Sequence, residues 1–508
     1  MTSESPRAVI GHPPGWRLIA GAVFLVVGIC VVGLLAVSRK PELALLAAVG
    51  IPFGVLLLAW PNLATWGVVF LIYTNAPVIA VKFHGVPFIV GATVPLLLAI
   101  PLAYFLVIRR EGLLIDPVFP LVALFVVVHL FGVLFSTKPD LAIQHVVTLV
   151  VEGVVLFFLV TNAVRDEQAL RGVVWTLLVA GAFLGGLSVI QWATGTYRNH
   201  YGGFAQVEED AGFRSEGSRV QRQGGPLGNK NRYAQIMSML FPLGLFVAWG
   251  ARSRLLRLAA WGATGFIMLG IALTFSRGAM VAFGVLVIVM LVMRLISLRQ
   301  CAAVGAAAML LVLAVPQLTD RMLSLVPLVN SLGGTDGGMH QADGSLQSRA
   351  AETLAGVLMF AEHPLTGVGP GMYPRHYPEY GQRMASMISG LKFKEEFRQP
   401  HSLYVELAAE LGLPGLLLFL MIVGCVIRRL LLARRSCLPD RPLAANLALG
   451  FCLAVFMYLA TGLFIHMSYI RWFWLMLGLA TAAARILQTG SSSPERWTGF
   501  ALGKSPTD

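Results

Sequence analysis

The sequence predicts an all-α integral membrane protein that crosses the bilayer many times. Of its 508 residues, 57% are hydrophobic and only 12% are charged, and the mean hydropathy is +0.76. Soluble domains carry about 25% charged residues, so this chain has too few to cover a surface that faces water. Apolar runs that can cross the roughly 30 Å hydrocarbon core recur along nearly the whole chain.

These runs predict about 12–14 transmembrane helices, because lipid offers no hydrogen-bond partner to an unpaired backbone. In chain order they are residues 16–37, 43–60, 62–80, 88–108, 118–136, 141–164, 170–193, 232–250, 255–275, 278–297, 300–316, 403–426, 443–467 and 469–487. Two of them are candidates for re-entrant or merged segments. The first is longer than the usual apolar region of a signal peptide, so we expect an uncleaved anchor.

Basic residues in alternate short loops predict the orientation, since such loops face the cytoplasm. The basic set consists of Arg109, Arg110, Arg165, Arg171, Arg252, Arg254, Arg257, Arg294, Arg299, Arg428, Arg429, Arg434, Arg435 and Arg441. Both termini are then expected inside, although Arg39 and Lys40 oppose this for the first two spans. Contact of these loops with anionic membrane lipids explains the net charge of +13 without a nucleic-acid partner.

Two long segments interrupt the spans on the opposite, outer side. Six regions follow: N-terminal transmembrane helices (1–193), a first outer loop (194–231), further transmembrane helices (232–316), a large outer loop (317–402), C-terminal transmembrane helices (403–487) and a cytoplasmic tail (488–508). The large loop starts with a Gly-rich stretch at 331–344. An amphipathic helix capped by Ser345 or Ser348 follows, and the glycines of 367–371 break the chain.

No cofactor or metal is expected. No His, Asp, Glu or Cys cluster has metal-ligand spacing, and the outer loops contain no cysteine. The glycines of 367–371 follow no strand, and Gly503-Lys504-Ser505 lacks the upstream glycine of a phosphate-binding loop.

Two arginines near span ends are candidates for anion binding. Arg277 joins two apolar spans almost without a loop, where a charge is costly unless it is paired or faces a wet cavity; the alternative is an interfacial arginine whose head reaches the lipid headgroups. Arg222 precedes Asn229 and Asn231, which could offer amide donors to an anion. The alternative there is turn chemistry and a helix cap.

Two further residues lie in or beside the large loop. Arg349 opens the amphipathic helix one turn before Glu352, and a surface ion pair between them is the alternative. His401 is expected in the first turn of a helix, whose dipole would keep the imidazole neutral, as a general base requires. Together, the arginines can clamp a diphosphate and the histidine can take a proton from a sugar hydroxyl. That combination suits glycosyl transfer from a diphosphate-linked donor.

At these residues the sequence resembles the bacterial O-antigen ligase and O-antigen polymerase family, over roughly 215–480. The matching motifs are Arg222-x-x-Gly225-Pro-x-x-Asn229-x-Asn231-x-x-Ala234, Ser276-Arg277-Gly278, Arg349 before a helix that ends Glu362-His-Pro-Leu-x-Gly-Val-Gly-Pro-Gly371, and His401-Ser-x-Tyr404 followed by Glu410-x-Gly412-x-x-Gly415. Ser402 departs from the asparagine frequent in the family.

The resemblance implies an inverting, metal-independent glycosyltransferase of the multi-helix membrane class (GT-C-like). Its donor would be a glycan on undecaprenyl diphosphate, used at the periplasmic face of the bacterial inner membrane. His401 would activate the acceptor hydroxyl, while Arg277 and Arg349 would bind the leaving diphosphate. Substrate binding would involve Arg222, Asn229, Asn231 and Tyr404. The N-terminal helices of 1–193 would form the acceptor side, and the loops 194–231 and 317–402 would be periplasmic.

The acceptor stays open within the family. It is another lipid-linked repeat unit in polymerases, the lipid A core in ligases, and a protein hydroxyl in oligosaccharyltransferases. The segment from Arg222 to Ala234 most resembles exopolysaccharide polymerases, and this resemblance favours a polymerase of O-antigen or exopolysaccharide repeat units, with ligase as the alternative. A polysaccharide transporter is a competing class, for which Glu152 and His145 in one span are the best candidates.

Overall fold

The computed structural model describes residues 60–208, 213–215, 218–302, 305–306, 344–387, 396–467 and 470–489. This part of the chain is a helical bundle with four very short strands, which confirms the all-α polytopic prediction. Seven of its helices are long and apolar enough to cross a membrane, or eight if one bent pair counts as a span. The predicted spans 16–37, nearly all of 43–60 and most of 300–316, together with the Gly-rich stretch 331–343, lie outside the described residues.

The helices before the first long loop follow the predicted apolar runs closely. They are α1 (Pro61–Tyr73), α2 (Ala76–His84), α3 (Val90–Ile108), α4 (Phe119–Val133), α5 (Pro139–Ala163) and α6 (Glu167–Thr194). Proline stands in the first turn of several of them, where its missing N–H costs no hydrogen bond. The expected span 62–80 is bent: α1 and α2 meet at 56°, where Asn75 is left-handed with φ 61°, so the pair is a broken span or a re-entrant segment.

The first long loop contains four short strands. They are β1 (Gln206–Val207), β2 (Phe213–Ser215), β3 (Ser218–Val220) and β4 (Gln223–Gly225). β1 pairs with β4 and β2 with β3, both antiparallel. β4 therefore holds the segment just before the next helix.

The remaining helices form the centre of the bundle and the second long loop. They are α7 (Lys230–Gly250), α8 (Arg254–Ala272), α9 (Arg277–Val292), α10 (Gly344–Glu362), α11 (Tyr373–Met387), α12 (Leu403–Cys437), α13 (Pro442–Gly462) and α14 (Arg471–Thr489). Most residues of α7 and α13 are buried, so these two are central. Ser345 and Ser348 lie inside α10, so neither caps it as expected.

One end of the bundle is held by arginine contacts. Arg429 pairs with Asp116, and Arg441 pairs with Glu167. Arg485 donates to the carbonyl of Thr161 (2.9 Å) in the last turn of α5 and to that of Val164 (2.7 Å), which follows the helix. The long loops, with α10 and α11, lie at the opposite end. Consecutive helices alternate between these ends, as the orientation argument requires, while the side that faces the cytoplasm stays a prediction.

The glycine-rich segment 367–371 joins α10 and α11, and it packs against a break in α12. Gly412 in that helix has φ 67° and ψ −168°, a conformation open to glycine alone. The amides of Val368 and Gly369 donate to the carbonyls of Ala409 (2.9 Å) and Glu410 (3.0 Å). The predicted chain break is confirmed, and two backbone amides of this segment satisfy carbonyls that the helix break leaves without a partner.

Candidate active site

Three elements meet at the end of the bundle that carries the long loops: the start of α9, the N-terminal part of α10, and the turn before α12. Arg277 is the first residue of α9 and is only 7% exposed. Ser276 precedes it as the N-cap residue and donates from Oγ to Oδ1 of Asn231 at 2.9 Å. This bond joins the start of α9 to the start of α7.

Arg222 supports the turn that leads into Arg277. Its guanidinium is 3% exposed and donates to the carbonyls of Thr274 (Nε, 2.9 Å) and Phe275 (Nη2, 2.7 Å). Phe275 needs this support because its φ is 49°, which is unfavourable for a bulky side chain. These contacts are those of a residue that positions backbone, whereas the sequence led us to expect contact with the donor.

The two asparagines expected in substrate binding have different surroundings. Asn229 is the N-cap of α7, and its Oδ1 accepts from the amides of Asn231 (3.2 Å) and Arg232 (3.1 Å). This is the helix cap that the sequence left open as the alternative. Asn231 instead lines a cleft at the centre of the site.

That cleft brings the start of α9 and the start of α10 together. Its lining consists of Asn231, Ser276, Gly278, Ala279, Arg349, Thr461, Phe464 and Ile465. Arg349 thus faces the same cleft as the residues on either side of Arg277. Arg349 therefore meets the start of α9 in this cleft, although Arg277 itself is not among the lining residues.

The third predicted catalytic residue, His401, contacts α10. Its Nε2 lies 3.4 Å from Oε2 of Glu352, which is 1% exposed. Thr353 on the same helix donates from Oγ1 to the carbonyl of Pro400 at 3.3 Å. Glu352 is therefore not part of a surface ion pair, the alternative that the sequence left open. It is a buried carboxylate beside the candidate base.

His401 does not lie in the first turn of α12, as the sequence led us to expect. The helix begins at Leu403 with Ser402 as its N-cap, and His401 precedes it in a left-handed conformation with φ 46°. Burial, together with the positive charges of Arg349, Arg232, Arg398 and Lys230, lowers the pKa of His401 to about 3. The ring is neutral as expected, but burial and cations are the cause, and a helix dipole is not needed.

Sequence reasoning missed three polar residues at this site. Arg232 donates from Nη2 to Nε2 of His466 at 2.7 Å, and the His466 ring lies 5.9 Å from that of His401. Lys230 pairs with Glu208 at 3.0 Å. Arg232 and Lys230 fall within the motif that starts at Arg222, so their spacing was a usable signal. His466 follows α13, and no pattern in the sequence marks it.

Tyr404, expected in substrate binding, and Glu152, a candidate of the transporter alternative, both make contacts between helices. The hydroxyl of Tyr404 donates to the carbonyl of Leu459 at 2.9 Å, which ties α12 to α13. Glu152, a candidate for the transporter alternative, forms a two-point ion pair with Arg471 (3.1 and 3.2 Å). Such a pair links α5 to α14 and gives no support to a proton relay. Among the described residues, no group of three His, Cys, Asp or Glu could hold a metal ion.

A family model described as O-Antigen ligase matches residues 262–420. The match confirms the resemblance expected from the motifs and contains Arg277, Arg349, His401 and Tyr404, whereas Arg222, Asn229 and Asn231 lie before it. A comparison with curated proteins gives no match.

The fold defines a multi-pass membrane protein. Its matched segment, about a third of the chain, is similar to the O-antigen ligase family, and this similarity implies a glycosyltransferase-like enzyme of O-antigen assembly.

Proposed function

We propose that this protein transfers a glycan from undecaprenyl diphosphate to an acceptor hydroxyl at the periplasmic face of the bacterial inner membrane. One observation carries the proposal: Arg349 and the start of α9 at Arg277 meet in one cleft, beside a neutral His401. Cations that bind a leaving diphosphate and a base that accepts a proton are the two requirements of this reaction.

The reaction needs one displacement. His401 takes the proton of the acceptor hydroxyl while the oxygen attacks the anomeric carbon. The diphosphate leaves from the opposite face of the sugar, so the configuration inverts. Arg277 and Arg349 bind the diphosphate through charge-assisted hydrogen bonds.

The start of α9 is well suited to the leaving group. Arg277 is its first residue, and unpaired amides at a helix N-terminus favour an anion in addition to the guanidinium. A lipid diphosphate is the expected donor because no nucleotide sugar is available outside the cytoplasm.

The acceptor decides between two functions. The segment from Arg222 to Ala234 favours polymerisation of O-antigen or exopolysaccharide repeat units, in which a second lipid-linked glycan is the acceptor. Transfer to the lipid A core is the second candidate, and the description of the matching family model favours it.

Reconstitution separates the two. Purified protein in nanodiscs is supplied with a lipid-linked repeat unit, with and without lipid A core. A ladder of longer lipid-linked chains without lipid A core supports the polymerase, and product that requires the core supports the ligase. Absence of transfer under both conditions, with the donor shown to bind, contradicts the proposed function.

Arginines that neutralise the diphosphate also imply a metal-independent reaction. Turnover is expected to survive EDTA. Strong loss that added magnesium restores would contradict the role given to Arg277 and Arg349.

A further inference from the structure

Glu352 is a buried carboxylate in contact with the candidate base. Its Oε2 lies 3.4 Å from Nε2 of His401, and its Oε1 lies 3.9 Å from Nη1 of Arg398. A carboxylate that is 1% exposed is costly unless cations or hydrogen bonds compensate for its lost hydration.

Hydrogen bonds hold the backbone on both sides of the contact between Glu352 and His401. The hydroxyl of Tyr373 donates to the backbone carbonyl of Glu352, and Thr353 donates to the carbonyl of Pro400. Both ends of the contact, α10 and the turn before α12, are thus fixed relative to each other. Rigid support of this kind holds a reactive side chain in one geometry.

The two ring nitrogens of His401 have different surroundings. Nε2 faces Oε2 of Glu352 at ion-pair distance, without hydrogen-bond geometry in this structure, whereas Nδ1 is buried and has no hydrogen-bond partner among the described residues. A carboxylate on one nitrogen fixes the proton there and leaves the other nitrogen with a free lone pair. Nδ1 is then the atom able to accept a proton.

We propose that Glu352 is a positioning residue for His401: its carboxylate accepts the Nε2–H of the ring and stabilises the imidazolium formed when Nδ1 takes the proton of the acceptor. This inference rests on the proposed function. In the step, the acceptor O–H bond breaks and its proton moves to Nδ1. The acceptor oxygen bonds to the anomeric carbon, and the diphosphate leaves with the electron pair of the broken glycosidic bond.

The cations around His401 explain why its protonated ring needs a neighbouring anion. The other charged or titratable groups that face His401 are Arg349 on α10, Arg398 before α12, Lys230 and Arg232 on α7, and His466 after α13. All of these except His466 are cations, and they oppose a positive charge on the ring. The carboxylate of Glu352 offsets that opposition at the moment when the imidazolium forms.

The main test is Glu352→Gln in purified full-length protein in nanodiscs. Its amide keeps the shape of the side chain but loses the charge. We expect kcat to fall on the order of 10²-fold, because carboxylates that orient a catalytic histidine have effects of this size or larger. The KM for the lipid-linked donor and the binding of undecaprenyl diphosphate should stay unchanged. Without the anion the imidazolium is less stable, so the acid limb of kcat/KM should move to lower pH.

A double-mutant cycle separates positioning from a merely structural role. Glu352→Gln should cost little further turnover in a His401→Ala background, because the group on which it acts is gone. Glu352→Asp keeps the charge and should retain more turnover than Glu352→Gln; it replaces the latter in the cycle if the glutamine variant unfolds. Equal losses in both backgrounds, or a wild-type kcat for Glu352→Gln, overturn the inference.

The same data distinguish this failure from failure of the proposed function. An inactive His401→Ala variant beside an unimpaired Glu352→Gln variant rejects only the role of Glu352. A fully active His401→Ala variant rejects the proposed base and the inference with it.

Discussion

Nη2 of Arg222 donates a hydrogen bond of 2.7 Å to the carbonyl of Phe275, two residues before Arg277. The bond links the segment that precedes α7 to the turn between α8 and α9. A position expected to contact the substrate therefore acts on the backbone that carries another candidate residue.

Arg222→Lys should reduce stability and turnover together. A lysine keeps the charge but cannot donate along both directions used by the guanidinium, and hydrogen bonds from charged groups contribute about 1.5–3 kcal/mol each. The thermal midpoint of the purified variant is expected to fall, with weaker binding of undecaprenyl diphosphate. Normal stability with impaired donor binding would instead indicate direct contact with the substrate.

His401→Ala should lower turnover by roughly 10²–10⁴, the usual contribution of a positioned acid–base group. Binding of undecaprenyl diphosphate should change little, because a neutral ring adds no charge to the diphosphate site. His376→Ala is the matched control: His376 lies on α11 near Thr137, outside the cleft, and its variant should turn over normally. Loss of lipid binding in His401→Ala would contradict the assignment.

Arg277→Lys should remain impaired although it keeps the charge, since lysine lacks the planar fork that binds a phosphate at two points. Arg277→Ala and Arg349→Ala should weaken lipid diphosphate binding as well as the chemical step. Turnover and binding of undecaprenyl diphosphate are measured side by side. Arg383→Ala is the control. Arg383 lies on α11 and forms an exposed ion pair with Glu362 of α10, so its loss should leave turnover and lipid binding unchanged.

The pH profile of kcat/KM should lack an acid limb near the ordinary histidine value. The neutral ring is the active form, so activity is lost only as pH falls through the pKa of His401 in the free enzyme, which burial lowers to about 3. Titration of His401 should therefore leave kcat/KM unchanged between about pH 5 and 8. Arg398→Gln removes a neighbouring cation and should move the limb to higher pH. An unchanged or lower limb would contradict this account.

The orientation is tested by reporter fusions. Fusions within 194–231 and 317–402 should score periplasmic, and fusions within 427–442 should score cytoplasmic, because basic loops are retained inside. A cytoplasmic score for 317–402 would remove the basis for a lipid-linked donor.

The membrane-spanning helices were predictable because a long apolar run is by itself enough to indicate one. For example, α6 and α7 follow the predicted runs within a few residues. Arg277, Arg349 and His401 stood out because charge is scarce in this chain. The partners of Arg222 and Tyr404 are backbone carbonyls about 50 residues away in the sequence, and no local pattern indicates them. The contact between Arg232 and His466 spans 234 positions and depends wholly on how α7 packs against α13.

The hydrogen bonds from Val368 and Gly369 to the broken helix α12 have a mechanical consequence. Displacing the segment between α10 and α11 would uncover buried carbonyls of a membrane helix, so the two helices move with α12 as one body. Deuterium exchange at these two amides is then governed by opening of α12 itself, and it should be as slow as in the bundle centre.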